Sequence, residues 1–449
     1  MAAETSVDFT LAWLAACAVL CAVAFVAPAP RGRFAAISGR RFALAVFGVA
    51  FVLRAVPLVA MKLPGDALVQ FDMDSYRIVA KLVRGHDDVY SQPDRYPYLP
   101  FQMYLFAGAD WLSGWSDAPF LLLARFPQVL ADAGIAGLLA AWPRTPASGA
   151  DPRRLGVVYA LNPTTILIAT IHGQFDSVPL FFLVAAVFIA GRGEPSDRRA
   201  ALTGLVLGMA ILSKTWPVVA LPLIAWHAGG WRERIICAVA TGVLPLAGLL
   251  VYCAVFTVGP DSPLDAVTGY SGVIGTWGYQ LVLQHLGNWG LPGAHRLVRE
   301  SFHVDQQLLA VLVALAAVAS LRRSLEVGTA VVIFVFYAAA PGWGYHWLAW
   351  ALPFALLALP LPASGAYAAV ASATLAAVFY GYGGVDYGLF ELFDSGSAVI
   401  RYRWAVGVPM WGLSVLLAVG LLAWPWLQRQ FRASPAPRAG DIEEARPAG

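Results

Sequence analysis

Two aspartates lie two residues apart in the segment Phe71-Asp72-Met73-Asp74-Ser75-Tyr76. A carboxylate can take the proton of a hydroxyl group while that hydroxyl attacks another molecule, which is general base catalysis. A pair of carboxylates is also suited to a divalent cation. Because carboxylates on a solvated loop usually serve only as surface charges, the interpretation of this pair depends on its surroundings.

A second group of polar residues occupies the turn Ile171-His172-Gly173-Gln174-Phe175-Asp176-Ser177, between two apolar stretches. Asp176 or Ser177 can cap the helix that follows, since both residue types favour helix N-caps. Capping does not account for His172 and Gln174. This turn is therefore a candidate for substrate binding or for fixing another loop in place.

Two more polar residues lie among apolar ones. Lys214 separates two apolar half-helices, and His346 lies among the aromatic residues of Gly342-Trp343-Gly344-Tyr345-His346-Trp347. A lysine at the membrane edge can reach water with its amine or bind an anion. A histidine in an aromatic belt is more often structural than functional. Arg125 and Asp132 share one face of a predicted helix, where they either offset each other or leave Arg125 facing a cavity.

The composition excludes an ordinary soluble protein. Of 449 residues, 59% are hydrophobic and 13% are charged, whereas about 25% of residues are charged in a soluble domain. The mean hydropathy is +0.66, which indicates repeated membrane crossing. The net charge of +3 is less informative, because the position of each charge matters more in a membrane protein.

The hydropathy pattern predicts an all-α polytopic membrane protein with about 11–13 transmembrane helices, since roughly 20 apolar residues cross a bilayer. The apolar stretches are 9–28, 42–61, 119–142, 155–171, 177–191, 235–256, 306–321, 325–341, 346–362, 364–383 and 404–426. We expect one polytopic domain over residues 1–433 and a disordered cytoplasmic tail over 434–449.

Arginine clusters between these stretches orient the chain, because cytoplasmic loops are rich in basic residues. The N-terminus is then external and the C-terminus cytoplasmic. The clusters include Arg31 to Arg41, Arg144 to Arg154, Arg192 to Arg199, Arg232 and Arg234, Arg322 and Arg323, and Arg429 to Arg438.

An external catalytic loop is predicted over about 62–118. It contains an amphipathic helix from Asp74 to Arg84 and a membrane-dipping segment over 98–115. The apolar side of that helix, Ile78, Val79, Leu82 and Val83, can lie on the membrane. The stretch 201–228 is divided at Lys214, which we place at the outer surface. This topology gathers carboxylates, a lysine and polar turns on one membrane face, an arrangement that suits a lipid-linked phosphate donor. Neither a Walker A motif nor a dinucleotide-binding glycine loop is present, so neither a nucleotide-bound donor nor ATP-driven transport is supported.

Six short motifs, spread over roughly residues 70–350, resemble those of GT-C glycosyltransferases, which are integral-membrane enzymes that use polyprenyl- or dolichyl-phosphate sugars. The closest likeness is to bacterial mannosyltransferases related to the GPI mannosyltransferases, with a weaker likeness to dolichyl-phosphate-glucose-dependent glucosyltransferases. The motifs are Asp72-Met73-Asp74, Tyr96-Pro97-Tyr98-Leu99-Pro100, Leu161-Asn162-Pro163, His172-Gly173-Gln174-Phe175-Asp176, Lys214-Thr215-Trp216-Pro217 and Tyr345-His346-Trp347-Leu348-Ala349-Trp350.

The resemblance implies that Asp72 is the catalytic base of a single inverting displacement and that Asp74 is the second acid. The family often has Tyr-Pro-Pro where this chain has Tyr96-Pro97-Tyr98, and the two aspartates can be assigned in either order. No cofactor is required, although Asp72 and Asp74 are suited to a divalent cation.

The remaining site residues are assigned by position and chemistry. Donor phosphate or sugar binding is expected of Arg95, Tyr96, Lys214, Tyr345 and His346. Substrate binding or loop positioning is expected of His172, Gln174 and Asp176.

The expected partners are a polyprenyl-phosphate sugar, most simply mannose, a glycolipid, glycan or protein acceptor, and membrane lipids, but no nucleic acid. The preference for Arg over Lys, together with the Ala and Gly content, suggests a bacterial plasma membrane with the active site on the periplasmic or external side. The main alternative is a polytopic transporter or lipid-linked-sugar flippase, which commonly shows internal repeats that are not detected here. Another membrane enzyme, such as an O-antigen ligase or glycan acyltransferase, is a further alternative.

Overall fold

The computed structural model describes residues 2–27, 37–60, 70–92, 95–269, 278–301, 305–380 and 407–423. Within these ranges the chain is helical and contains no β-strand. The predicted tail over 434–449 and two parts of the predicted loop, residues 62–69 and 93–94, lie outside the described residues. The helices are α1 Ala2–Val26, α2 Gly39–Ala60, α3 Gln70–Gly85, α4 Gln102–Trp115, α5 Phe120–Ala140, α6 Pro152–Leu161, α7 Pro163–Ile166, α8 Ser177–Ala190, α9 Asp197–Ser213, α10 Leu221–His227, α11 Trp231–Phe256, α12 Asp261–Thr268, α13 Tyr279–Asn288, α14 Ala294–Ser301, α15 Asp305–Ser320, α16 Leu325–Ala339, α17 Leu348–Ala358, α18 Leu361–Tyr380 and α19 Gly407–Ala423.

The helices confirm an all-α polytopic membrane fold. By length and composition, four helical segments of the described chain can cross a membrane, or up to six when each bent pair of helices is counted as one span. The four are Phe9–Val26, Gly39–Ala60, Phe120–Ala140 and Trp231–Phe256. The other predicted apolar stretches also fall on helices, several of them with fewer than 18 residues.

The predicted span 155–171 is a broken helix, bent by 51° where α6 meets α7. Asn162 causes the break: its side chain accepts a hydrogen bond from the backbone N–H of Thr164 at 2.9 Å and caps a new helix that begins at Pro163. The new helix continues as a wider π-helix over Leu167–His172 and ends at Gly173, which adopts a left-handed conformation with φ of 73°. A left-handed residue is a common helix stop.

Helix α3 begins earlier than predicted, at Gln70 instead of Asp74, so Asp72 lies in its first turn and not on the loop before it. Its buried side faces protein: Tyr76 and Val79 are buried, and Tyr76 stacks on Phe106 of α4 with ring centroids 4.1 Å apart. The expectation that Val79 lies on the membrane is therefore wrong, because α4 and the adjoining aromatic residues cover that face.

The stretch 201–228 is divided at Lys214, as predicted. Helix α9 ends at Ser213, a short 3₁₀-helix covers Trp216–Ala220, and α10 follows. Helix α9 packs closely along α11 at Gly204 and Gly208, where an added Cβ would collide with backbone carbonyls of α11. Small residues permit this close approach of two helices within a membrane. The tight packing fixes where the end of α9 presents Lys214.

Candidate functional site

One half of the site is centred on Asp176, which is fully buried just before α8. Its Oδ1 accepts hydrogen bonds from Lys214 Nζ and from the indole Nε1 of Trp350, each at 2.8 Å. The expected capping role of its side chain is not observed, since that side chain makes no hydrogen bond to the start of α8. Asp176 instead joins the end of α9 to α17.

Aromatic rings surround the Lys214 ammonium group. It lies 5.1 Å from the ring centroids of both Tyr98 and Phe175, and 5.7 Å from that of Trp350. The charge of a desolvated ammonium is favoured by ring faces and by a paired carboxylate. Lys214 is therefore already compensated within the protein.

The second half of the site is centred on Asp72. Its Oδ2 accepts a 2.6 Å hydrogen bond from the amide of Gln174, whose own Oε1 accepts a 2.8 Å hydrogen bond from the Tyr76 hydroxyl. Asp72 and Tyr76 are four residues apart, so they lie on the same face of α3. Through these two hydrogen bonds, Gln174 links α3 to the turn after the π-helix. His172 Nε2 lies 3.7 Å from the same Asp72 oxygen.

Burial raises the pKa of Asp72 above its ordinary value, while the Gln174 hydrogen bond and the Lys214 charge oppose the shift. About a third of the side chain is nevertheless exposed. Helix α3 lies outside the candidate membrane spans. Burial also raises the pKa of Tyr76, so its phenol keeps the proton that it donates to Gln174. A partly exposed carboxylate with a raised pKa is suited to act as a base near neutral pH.

Two histidines connect the two halves. The ring centroids of His172 and His346 are 5.3 Å apart, and Tyr345 lies at the same distance from His172. His346 Nε2 is 3.6 Å from Asp176 Oδ2. The structure therefore brings seven of the predicted site residues together: Asp72, His172, Gln174, Asp176, Lys214, Tyr345 and His346.

The other three predicted residues lie apart from this cluster. Asp74 is exposed, and residues two apart on a helix do not face each other, so its carboxylate diverges from that of Asp72. Arg95 donates a 3.3 Å hydrogen bond to Ser75 Oγ. The buried Tyr96 hydroxyl donates to the Leu99 carbonyl at 2.9 Å and accepts from the Met103 N–H, which shapes the entry to α4.

The two aspartates therefore do not converge on one cation. Across the part of the chain that the structure describes, no group of three or more His, Cys, Asp or Glu residues is arranged to hold a metal ion. The divergence of Asp72 and Asp74 follows from the early start of α3, which places both residues in helical geometry.

Sequence reasoning missed two residues and left a third open. Tyr76 supports Gln174, and its position four residues after Asp72 was the available signal. Trp350 binds Asp176 from within one of the motifs. Asp132 pairs with Arg54 and not with Arg125, whose side chain instead packs against Gly173.

No family model matches the chain, and neither does any solved structure. The chain is similar to GPI mannosyltransferase 1. That protein, from Aspergillus oryzae, is 29% identical over 195 residues, which cover 42% of this chain. The chain spans only 44% of the length of this curated relative. The similarity is distant and partial, and it supports the mannosyltransferase-like family that the motifs resemble.

Proposed function

We propose that the protein is an inverting glycosyltransferase that transfers mannose from a polyprenyl-phosphate donor to a lipid or glycan acceptor on the external face of a bacterial plasma membrane. The observation that carries the proposal is the setting of Asp72. It is held at a fixed position by Gln174, it lies beside His172, and a third of its side chain remains accessible. A general base needs this combination of fixed geometry and access.

In the proposed reaction, Asp72 takes the proton of the acceptor hydroxyl while the hydroxyl oxygen forms a bond to the anomeric carbon of the sugar. The bond from that carbon to the phosphate oxygen breaks, and polyprenyl phosphate leaves with the electron pair. The proton stays on Asp72 until solvent removes it. One displacement inverts the configuration at the anomeric carbon, and a single carboxylate base is sufficient for it.

We assign different roles to the two carboxylate oxygens of Asp72. Oδ2 receives the Gln174 amide and faces His172. Oδ1 accepts no hydrogen bond from any residue in the described ranges, so it is the oxygen that we assign to the proton.

Asp176 does not suit the same role, because both Lys214 and Trp350 already bind it and it is fully buried. We therefore assign Asp176 and Lys214 to positioning the Gln174 turn. In this proposal Tyr345 and His346, at the junction of the two halves, contact the sugar or its phosphate. Arg95 lies beside α3 and interacts with substrate only at the margin of the site.

Three features support the choice of donor and acceptor. The motifs resemble those of enzymes that use lipid-phosphate sugars, and the similar fungal protein is named as a mannosyltransferase. The apolar helices that flank the site are long enough to accommodate a lipid chain within the membrane.

The test is transfer of radiolabelled mannose from polyprenyl-phosphate-mannose to endogenous lipid in membranes that contain wild type or Asp72→Asn. Polyprenyl-phosphate-glucose is run in parallel. We expect a labelled product from the mannosyl donor with wild type and none with Asp72→Asn, at equal protein levels. Mannosyl transfer by Asp72→Asn at the wild-type rate overturns the assignment of the base.

A flippase would redistribute the lipid-linked sugar across proteoliposome membranes without breaking its glycosidic bond. Movement of intact donor, with no new labelled product from either sugar, overturns the glycosyltransferase proposal. Product formed only from the glucosyl donor retains the reaction and overturns mannose as the transferred sugar.

A further inference from the structure

Arg125 is a fully buried cation whose Nε, Nη1 and Nη2 make no hydrogen bond. Across the described ranges, no carboxylate lies within ion-pair distance of its guanidinium group. Burial of an ionised group without a partner costs several kcal/mol, and proteins rarely retain such a group without a use for it. A guanidinium does not lose its proton, so it cannot become neutral to relieve this cost.

The two other buried cations of the described chain are both paired. Arg54 binds Asp132, and its Nη groups also donate to the Ala160 carbonyl at 3.0 Å and to the Thr165 hydroxyl at 2.7 Å. Lys214 binds Asp176. The fold therefore supplies a carboxylate wherever a buried cation is structural, and Arg125 is the exception.

Gln128, one turn after Arg125 on α5, is also a buried polar residue, and neither of its amide atoms has a hydrogen-bond partner. Residues three apart lie on one helix face. Asp132, four residues beyond, continues the same stripe, but its carboxylate is satisfied by Arg54 and by the Tyr159 hydroxyl at 2.7 Å. The unsatisfied donors are thus confined to the Arg125 end of the stripe.

That end lies against the candidate site. The Arg125 side chain packs on Gly173, between His172 and Gln174, both of which face Asp72. Tyr76 and His172 interact with Arg125 electrostatically, and neither has a carboxylate. The charge of Arg125 is therefore available to a ligand that enters beside Asp72.

We propose that Arg125, assisted by Gln128, binds the phosphate ester of a lipid substrate. The planar guanidinium fork matches two phosphate oxygens, and the desolvated surroundings strengthen the interaction. The proposal rests on the proposed function, and it moves the phosphate site from Lys214, whose charge is compensated, to Arg125. The phosphate belongs either to the polyprenyl-phosphate donor or to a phospholipid acceptor, since both have the same chemistry.

The test measures ligand binding and does not depend on sugar transfer. Purified wild type, Arg125→Met and Arg125→Lys are placed in nanodiscs of phosphatidylcholine. The probes are undecaprenyl phosphate, the uncharged undecaprenol and phosphatidylinositol. Arg84→Met, which removes an exposed arginine of α3, is the matched control for loss of positive charge.

We expect wild type and Arg84→Met to bind undecaprenyl phosphate more tightly than undecaprenol. Arg125→Met should bind the phosphate about 10- to 100-fold more weakly, the loss expected for one charge-assisted contact. Arg125→Lys should bind undecaprenyl phosphate with an affinity between those of wild type and Arg125→Met, because lysine keeps the positive charge but lacks the planar guanidinium fork. Arg125-dependent binding of phosphatidylinositol alone supports the phosphate site and assigns it to the acceptor.

Thermal unfolding of the empty protein separates binding from folding. Ligand-free Arg125→Met should unfold at or above the wild-type temperature, because it removes an unpaired buried charge, and its melting should not respond to undecaprenyl phosphate. The proposal is overturned if wild type and Arg125→Met bind undecaprenyl phosphate equally and also bind phosphatidylinositol equally. It is overturned as well if wild type binds undecaprenyl phosphate no more tightly than undecaprenol and shows no Arg125-dependent binding of phosphatidylinositol. If wild type binds the phosphate through Arg125 but transfers no sugar, the proposed function fails and the phosphate site remains.

Discussion

Asp72 and Asp176 are carboxylates of one cluster, but their surroundings differ. Asp176 is fully buried and accepts two strong hydrogen bonds, from Lys214 and Trp350, whereas Asp72 has one such bond, from Gln174, and a third of it is exposed. Both hydrogen bonds of Asp176 go to Oδ1, and its Oδ2 is buried with His346 Nε2 3.6 Å away, so solvent does not reach either oxygen. Burial therefore separates Asp176, which holds the site together, from Asp72, which can contact a ligand.

The same contrast divides two arginines. Arg54 donates to a carboxylate, a hydroxyl and backbone carbonyls, whereas Arg125 donates to no described group. Both are fully buried, so burial alone does not distinguish a structural charge from a functional one. Whether the N–H donors of the guanidinium group have hydrogen-bond partners distinguishes the two arginines.

The largest effect on stability is expected from Lys214→Met. Removing one partner leaves the buried Asp176 uncompensated, which costs about 3–5 kcal/mol of unfolding free energy. Reversible unfolding in detergent micelles measures the change. The double variant Lys214→Met with Asp176→Leu is the control, since replacing both members of a buried pair is often nearly neutral. Unchanged stability of the single variant contradicts a structural role for the pair.

The next effect is expected from Gly173→Ala. Its φ of 73° costs an alanine about 1–2 kcal/mol, and the new Cβ also overlaps the Arg125 side chain. Gly149→Ala is the matched control, because Gly149 has a φ of 71° and open space around its Cα. We expect Gly173→Ala to be destabilised more than Gly149→Ala and to bind lipid phosphate less tightly. Equal losses in the two variants contradict the contact with Arg125.

A smaller effect is expected in the pH dependence of transfer. A base must be deprotonated, so kcat/KM should rise with pH through the raised pKa of Asp72, above the ordinary value of 3.8. The Gln174 hydrogen bond lowers that pKa, and Gln174→Leu should therefore move the acid limb to higher pH. Gln307→Leu, at an exposed position of α15, is the control. An acid limb that does not move in Gln174→Leu contradicts the coupling.

The raised pKa of Asp72 also makes the unfolding free energy depend on pH. Because the pKa of Asp72 is higher in the folded than in the unfolded chain, the folded protein binds more protons between the two values. The contribution of Asp72 to the unfolding free energy therefore falls as pH rises from 3.8 through the folded pKa. Asp72→Asn should remove this fall, which unfolding measurements at several pH values can detect.

The smallest effect is expected at the exposed pair of Arg84 and Asp110, whose atoms are 2.5 Å apart. Exposed ion pairs typically contribute about 0–1 kcal/mol. Arg84→Met should therefore change stability little and leave transfer unchanged. A large loss of activity in Arg84→Met contradicts the claim that this exposed arginine lies outside the candidate site.

Much of the fold follows from local signals. Runs of apolar residues predict most helices, and the Lys214 break is placed at the correct residue, because spacing along one helix depends only on nearby residues. The start of α3 is missed by four residues, since its first turn is stabilised by the contact between Asp72 and Gln174, which are 102 positions apart.

The site shows the same limit. Motif spacing identifies Asp72, Gln174 and Lys214 as candidate site residues. It does not predict which charged side chains form ion pairs with each other. Asp132 shares a helix face with Arg125 and yet pairs with Arg54, because the packing of α2 against α5 decides the partner. Pairings between helices depend on tertiary packing, which the period of a single helix does not encode.

The most direct test compares mannosyl transfer by Asp72→Asn, Asp74→Asn and wild type, with thermal unfolding of each protein measured in the same micelles. We predict that Asp72→Asn folds as well as wild type and loses at least about 100-fold in kcat, the contribution of a general base. Asp74→Asn, at the exposed position two residues away, should keep activity within a few-fold. Full activity in Asp72→Asn, or its loss in Asp74→Asn alone, contradicts the claim that Asp72 is the base.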